Sequence, residues 1–113
     1  MAENTSNNPA FLYDNITQNP TVINPSASAT IDSVTNVVIA GANSLAFTLA
    51  ATSNSPVWIT SFDHIAGAQR TSTTIIANGF TYTLGTSSCT AVCVRYGAPS
   101  ANKWVILGAQ TAS

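Results

Sequence analysis

Charge is what this chain has least of. Charged side chains make up 6% of its 113 residues, against roughly 25% in an average soluble domain. Glu3, Asp14, Asp32, Asp63, Arg70, Arg95 and Lys103 are the full set, and the stretch from Ser33 to Phe62 carries none. Three scattered basic residues cannot form the Lys/Arg cluster that phosphate binding needs, so nucleic acid is excluded as a partner. One histidine, two cysteines and four carboxylates leave little from which to build a metal centre or an acid–base pair. The expectation is neither an enzyme nor a cofactor protein.

Long apolar runs are missing as well. Thr, Ser and Asn interrupt every hydrophobic segment, and none is long enough to cross a bilayer. The opening MAENTSNNPAF has neither the basic nor the apolar region of a secretory signal. Synthesis in a cytosol is expected, although the hydroxyl- and amide-rich composition suits an extracellular surface. A virion component satisfies both. No segment shows helical periodicity with start and stop signals, and no repeat is strong enough for a solenoid.

What is present is Ser, Thr, Asn and Ala woven between Val, Ile, Leu, Phe and Trp. Residues 1–29 read as an extended arm, because Pro9, Pro20 and Pro25 each block a helix and extend the residue before. The arm holds an apolar knot of Phe11, Leu12, Tyr13 and Ile16, then Val22 and Ile23. Disordered tails rarely carry so many large apolar side chains, so these six residues are read as an anchor on another subunit.

Residues 30–113 read as strands. TNVVIA, LAFTLA, PVWITSF, TSTTIIA, FTYTL, CTAVCVRY and KWVILG are β-branched, aromatic or alternating, and turn clusters separate them. HIAGAQR reads as a loop. Leu45, Phe47 and Leu49 fall on one face, as do Phe80, Tyr82 and Leu84, which are expected to point inward. Asn78-Gly79 is a hairpin signal, because both residues accept positive φ. About seven to eight strands near ten-residue spacing predict an all-β fold, an antiparallel β-sandwich or barrel, jelly-roll-like, with an extended N-terminal arm. A β-domain of about 80 residues buries only ~60–65% of its unfolded surface and gains from a partner.

Four groups of residues are candidates for chemistry. Asp63-His64 is the one acid–base neighbour pair, but on a strand the two side chains point to opposite faces. Cys89 and Cys93 lie ~13 Å apart if both are on a strand, too far for a disulfide; two core thiols are expected. Trp58, Phe62, Tyr82, Tyr96 and Trp104 are read first as core or subunit-interface aromatics. Trp58, Trp104, Tyr82 and Tyr96 also have the character of a sugar-stacking platform. Asp32, Asp63, Arg70, Arg95 and Lys103 are expected to pair across subunits, fixing register more than stability.

The succession NSLAFTLA, PVWITSF, TIIANGFTYTL, CTAVCVRYG and ASANKWVILG resembles the small β-modules of tailed-bacteriophage virions, found in head decoration proteins and tail fibre tips. The resemblance spans about residues 35–108. It implies a homotrimeric β-knob whose apolar faces meet near a threefold axis. With an arm of about thirty residues rather than a long shaft, it further implies a capsid decoration or cement protein that docks on the major capsid protein through the arm. The expected location is the virion, after synthesis in the host cytoplasm. A fibre-associated tip that recognises a surface glycan is the alternative.

Overall fold

The computed structural model describes residues 20–97 and 102–111, and within them the chain is all-β, without a helix. Twelve strands follow in order. They are β1 (Val22–Ile23), β2 (Ala29–Thr30), β3 (Val37–Ile39), β4 (Ala46–Thr48), β5 (Val57–Thr60) and β6 (Phe62–Asp63). After them come β7 (Ala68–Gln69), β8 (Thr74–Ala77), β9 (Phe80–Thr83), β10 (Thr90–Tyr96), β11 (Lys103–Leu107) and β12 (Gln110–Thr111). The seven segments read as strands from the sequence supply the seven elements of three residues or more. The remaining five are two-residue strands; β6 and β7 pair as a small hairpin, with β7 inside the segment HIAGAQR read as a loop and β6 just before it.

Two five-stranded sheets carry the fold. The first has the order β1-β3-β5-β10-β11 and the second β12-β9-β8-β4-β2. Each has two edge strands, so the sheets do not close into a barrel. Neither is purely antiparallel, which corrects the expectation. β1, β3 and β5 run parallel, as do β2, β4 and β8, and only β10, β11, β9 and β12 add antiparallel pairs.

The reason lies in the turns. Two strands consecutive in sequence become antiparallel neighbours through a tight reversal, and the type I′ two-residue loop needs consecutive positive φ. Asn78 and Gly79 meet that demand, with φ of 57° and 77°, and they join β8 to β9. Earlier connections are wider, and each carries the chain across to the other sheet. From β1 to β5 the strands alternate between sheets, and each return adds a parallel neighbour. This half therefore winds like a coil. No sequence repeat accompanies this winding. The return from β1 to β3 takes 15 residues by register and that from β3 to β5 takes 21, so the unequal turns erase any fixed period.

The two sheets share one core. Val38, Val57, Ile59, Ala91, Cys93 and Trp104 come from the first, Phe47, Ile75 and Ala77 from the second, and Ile31, Leu45, Leu49 and Leu84 from the flanks. Leu45, Phe47 and Leu49 are all buried, as the alternation of LAFTLA requires. Phe80 departs from its expected inward place: it is exposed at the start of β9, just past the turn, while Leu84 is buried. Each large aliphatic or Phe side chain buried here contributes about 1.5–3 kcal/mol.

The described fold starts well before residue 30. β1 pairs with β3, Ile23 packs against the core, and Asn24 Nδ2 donates to Ile39 O at 3.0 Å. Gly41 N donates to Pro25 O at 2.8 Å. A Cβ on Gly41 would lie 2.7 Å from that oxygen, so only glycine permits the approach. Residues 20–29, read as part of the arm, are thus tied to the sheets. Phe11, Leu12, Tyr13 and Ile16 lie outside the described residues.

Candidate functional site, an apolar sheet face

Strand register decides which side chains share a face, because neighbours along a strand alternate and paired positions coincide. In the first sheet, Ile23, Val38, Ile59 and Ala91 form one row across β1, β3, β5 and β10. That row faces the core. The adjacent row must face outward. It runs Val22, Val37, Trp58, Val92, Leu107, across all five strands. Every member is apolar. Beside it, Val94 pairs with Val105 and Tyr96 with Lys103. On the other side Ile39 is followed by Thr60 and Thr90.

A sheet face left to water normally alternates to polar residues. This one does not. Leu107 is 57% exposed, Tyr96 51%, Val105 42% and Val94 36%. Exposed apolar surface of this continuity marks an interaction site more often than chance exposure. Where β3 and β5 meet, the face sinks into a groove of about 460 Å³, lined by Pro20, Val37, Ile39, Trp58, Thr60, His64 and Thr90. The face thus has two parts: a groove over β3 and β5, and an open apolar slope over β10 and β11.

The aromatics picked out from the sequence scatter. Trp58 lines the groove and Tyr96 lies on the slope. Trp104 is buried in the chain's own core, with its indole N–H donating to Asn102 Oδ1 at 2.9 Å. It is removed from the subunit-interface and sugar-platform groups. Tyr82 is half-buried on the second sheet, where its hydroxyl accepts from Asn78 Nδ2 at 3.0 Å. Phe62 is half-buried and meets the His64 ring edge-on at 4.8 Å. Val22 joins the outer row, whereas Ile23 packs inward. The structure does not bring the four aromatics together.

Reasoning from sequence missed Val37, Ile39, Val92, Val94, Val105 and Leu107. A signal was present. In AVCV both alternating sets are apolar, Ala91 with Cys93 and Val92 with Val94. In KWVIL the sets are Trp104 with Ile106 and Val105 with Leu107. A strand apolar on both faces has two faces to cover.

The charges work within the chain. The Asp63 carboxylate is buried and accepts from Ile65 N and Ala66 N, both at 3.0 Å, and from Arg70 Nη2 at 2.8 Å. The Ala66 N–H foremost, then the Arg70 guanidinium, hold this carboxyl below its ordinary range. Asp32 makes the same kind of turn, accepting from Val34 N, Thr35 N and Thr35 Oγ1. Its bond from the Thr35 hydroxyl leads in holding it low. Arg95 donates to Ser53 O at 2.6 Å and lies over the Trp104 ring at 5.2 Å. Asp63 and Arg70, expected to pair across subunits, pair with each other inside one chain, and Asp32 and Arg95 make hydrogen bonds to neutral groups of the same chain. His64 is exposed on the groove rim while Asp63 is buried in its turn, so the two do not form an acid–base pair.

Cys89 and Cys93 are both free; Cys93 is buried and Cys89 half-buried. Burial pushes the Cys93 thiol up to about 12. Among the described residues no group of three or more His, Cys, Asp or Glu is placed to hold a metal, and no helix is long and apolar enough to cross a membrane. Comparison with protein-family models, curated proteins and solved structures finds no match to this chain.

Proposed function

We propose that this chain is a structural protein of a tailed-phage virion, a homotrimeric head decoration or cement protein that packs on its own copies and docks on the major capsid protein. The observation that carries the reading is the unbroken apolar row Val22, Val37, Trp58, Val92, Leu107 on the outer face of the first sheet. A continuous apolar row of this kind on an outer sheet face marks an interaction surface. With 6% charged residues the rest of the surface offers little repulsion between copies. Assembly is mechanical: the open slope of Val94, Tyr96, Val105 and Leu107 meets its equivalents near a threefold axis. The anchor cluster Phe11, Leu12, Tyr13 and Ile16 reaches the capsid. Three attachment points multiply contacts that are weak one at a time. The place of action is the virion surface, after synthesis in the host cytoplasm.

The test is immunogold electron microscopy of particles of the phage that encodes the chain, with antibody raised against the recombinant protein. Gold over the head surface supports the reading. Particles without label, from lysates in which the free protein is detected, contradict it. The docking role of the anchor is tested by Phe11→Ser, Leu12→Ser, Tyr13→Ser and Ile16→Ser together, which should leave assembly intact and abolish binding to heads. Deleting residues 1–29 is a poorer test, since it strips β1 and the Pro25 contact from the sheets.

One observation favours the second reading, glycan recognition at a fibre-associated tip. Trp58 stands in the groove beside Thr60, Thr90 and His64, an aromatic wall with polar groups at its margin. Saturable hits on a glycan array, lost in Trp58→Ala, would select that reading.

A further inference from the structure

Asn78 and Gly79 make the turn between β8 and β9, and Asn78 also ties the second sheet to the first. Arg95 and Trp104 are paired positions of β10 and β11, yet Trp104 N and O both turn to the Asn78 side chain. The N–H donates to Asn78 Oδ1 and the carbonyl accepts from Asn78 Nδ2, each at 2.7 Å. β11 is the last strand of its sheet, so this side-chain amide stands on the outer edge, where the backbone of a further strand would bond. Open edges invite pairing with another chain, and Asn78 guards this one. Its Nδ2 also donates to the Tyr82 hydroxyl at 3.0 Å, so both N–H groups of the amide are engaged.

The same dipeptide is chemically unstable. Asn78 is the only asparagine in the chain followed by glycine. Glycine has no side chain to hinder attack by its backbone nitrogen on the side-chain carbonyl carbon before it. In that reaction Gly79 N bonds to Asn78 Cγ, the Cγ–Nδ2 bond breaks, and ammonia leaves with the Gly79 amide proton. Water then opens the five-membered imide at either carbonyl. One opening leaves aspartate; the other leaves isoaspartate, with the backbone running through the former side chain. Gly79 is exposed, and a Cβ there would meet nothing within 4 Å, so base and water reach it. The restraint is the position of Cγ: turning it onto Gly79 N breaks all three hydrogen bonds of the Asn78 amide.

We propose that Asn78 is a deamidation site held closed by the fold, reacting only when the β8–β9 turn lets go of β11. Each of the three bonds is worth a factor of roughly 2–12 between held and free amide, so together they slow the reaction at least ~tenfold. The aspartate product cannot restore the tie, because an oxygen replaces Nδ2, faces the Trp104 carbonyl oxygen and has no proton to give it. In the isoaspartate product the carboxylate is displaced from the edge altogether. A chain that has once opened here is marked, and its β11 edge stays unguarded.

The test holds the full chain at pH 8 in native buffer and in guanidinium chloride, beside a synthetic peptide of residues 74–84 in each. Peptide mapping by mass spectrometry reads the deamidation of each asparagine, and isoaspartyl methyltransferase labelling reads the isoaspartate share. In the denatured chain Asn78 should convert at the peptide's rate, ahead of Asn43 and Asn54, which precede serine. In the native chain it should convert at least ~tenfold more slowly than the peptide. Tyr82→Phe removes one of the three bonds and leaves the turn, and should raise the native rate ~2–12-fold. Asn78→Asp puts one product in place and should raise the unfolding equilibrium constant about tenfold. Native conversion at the peptide's rate overturns the proposal, as does a denatured chain in which Asn78 reacts no faster than Asn43. A native rate unchanged in Tyr82→Phe overturns the three bonds as the restraint, and parent stability in Asn78→Asp overturns the loss of the tie. None of these results depends on whether the protein is found on phage heads.

Discussion

Polar substitution of the open slope should dissociate the assembly without unfolding the chain. The perturbation is Val94→Thr, Val105→Thr and Leu107→Gln together. In the single chain these side chains are 36%, 42% and 57% exposed. Complete burial of such a side chain is worth about 1.5–3 kcal/mol. Covering the exposed fractions of all three therefore contributes about 2–4 kcal/mol per subunit. At 1.4 kcal/mol per decade, that is a factor of roughly 30–700 in each subunit's contribution to assembly. All three point away from the core, and threonine suits a strand, so each should change folding stability by no more than about 0.5 kcal/mol. Sedimentation velocity over a thousandfold range of concentration reads the assembly midpoint, and thermal unfolding of the dilute monomer reads the fold. The midpoint should move to at least thirtyfold higher concentration, with the monomer transition preserved. A midpoint within threefold of the parent's would refute the assignment of this slope to the contact between copies.

Three further outcomes follow from contacts inside the chain. Asn78 Nδ2 donates to Trp104 O and Asn78 Oδ1 accepts from Trp104 N, each at 2.7 Å, tying the β8–β9 hairpin to β11. Asn78→Gly keeps the positive φ but leaves those groups unpaired, and should cost about 1–3 kcal/mol in chemical denaturation. With its thiol pushed up to about 12 by burial, Cys93 should resist a thiol reagent at pH 8 while Cys89 reacts, both reacting after denaturation; two equal fast phases in the native protein would contradict this. The Asp63 carboxyl is held below its ordinary value, so its stabilisation is fully present above about pH 4 and is lost as pH falls through the lower folded value. Melting temperatures should show Asp63→Asn below the parent at pH 7 and the gap closing below pH 4; a gap constant down to pH 2 would contradict the Asp63 turn.

Much of the fold was legible because strand-forming segments announce themselves locally. The seven longer strands, the inward set Leu45, Phe47 and Leu49, and the Asn78-Gly79 hairpin all follow from alternation and turn chemistry within a few residues. The parallel winding was not legible. Sequence shows that a turn occurs between VVIA and LAFTLA, but not whether it folds back or crosses to a second sheet. Phe80 was misplaced for a related reason: it leads β9 beside the turn, beyond the positions Tyr82 and Thr83 that β12 flanks. The site was half legible. Trp58 and Tyr96 stood out as large aromatics, while Val37, Val92 and Leu107 became a surface only through the register of five strands. Asn78 read as a turn residue, and its bonds to Trp104, 26 residues away, had no sequence signal.

The most direct test of the central claim is the solution mass of the full chain, measured by light scattering from nanomolar to high micromolar concentration. One chain is 11.7 kDa, and the proposed homotrimer predicts three times that, about 35 kDa, with dissociation only at the dilute end. A mass of 11.7 kDa across the whole range would mean that the face is not covered by copies of the chain, and would contradict the structural role proposed for it.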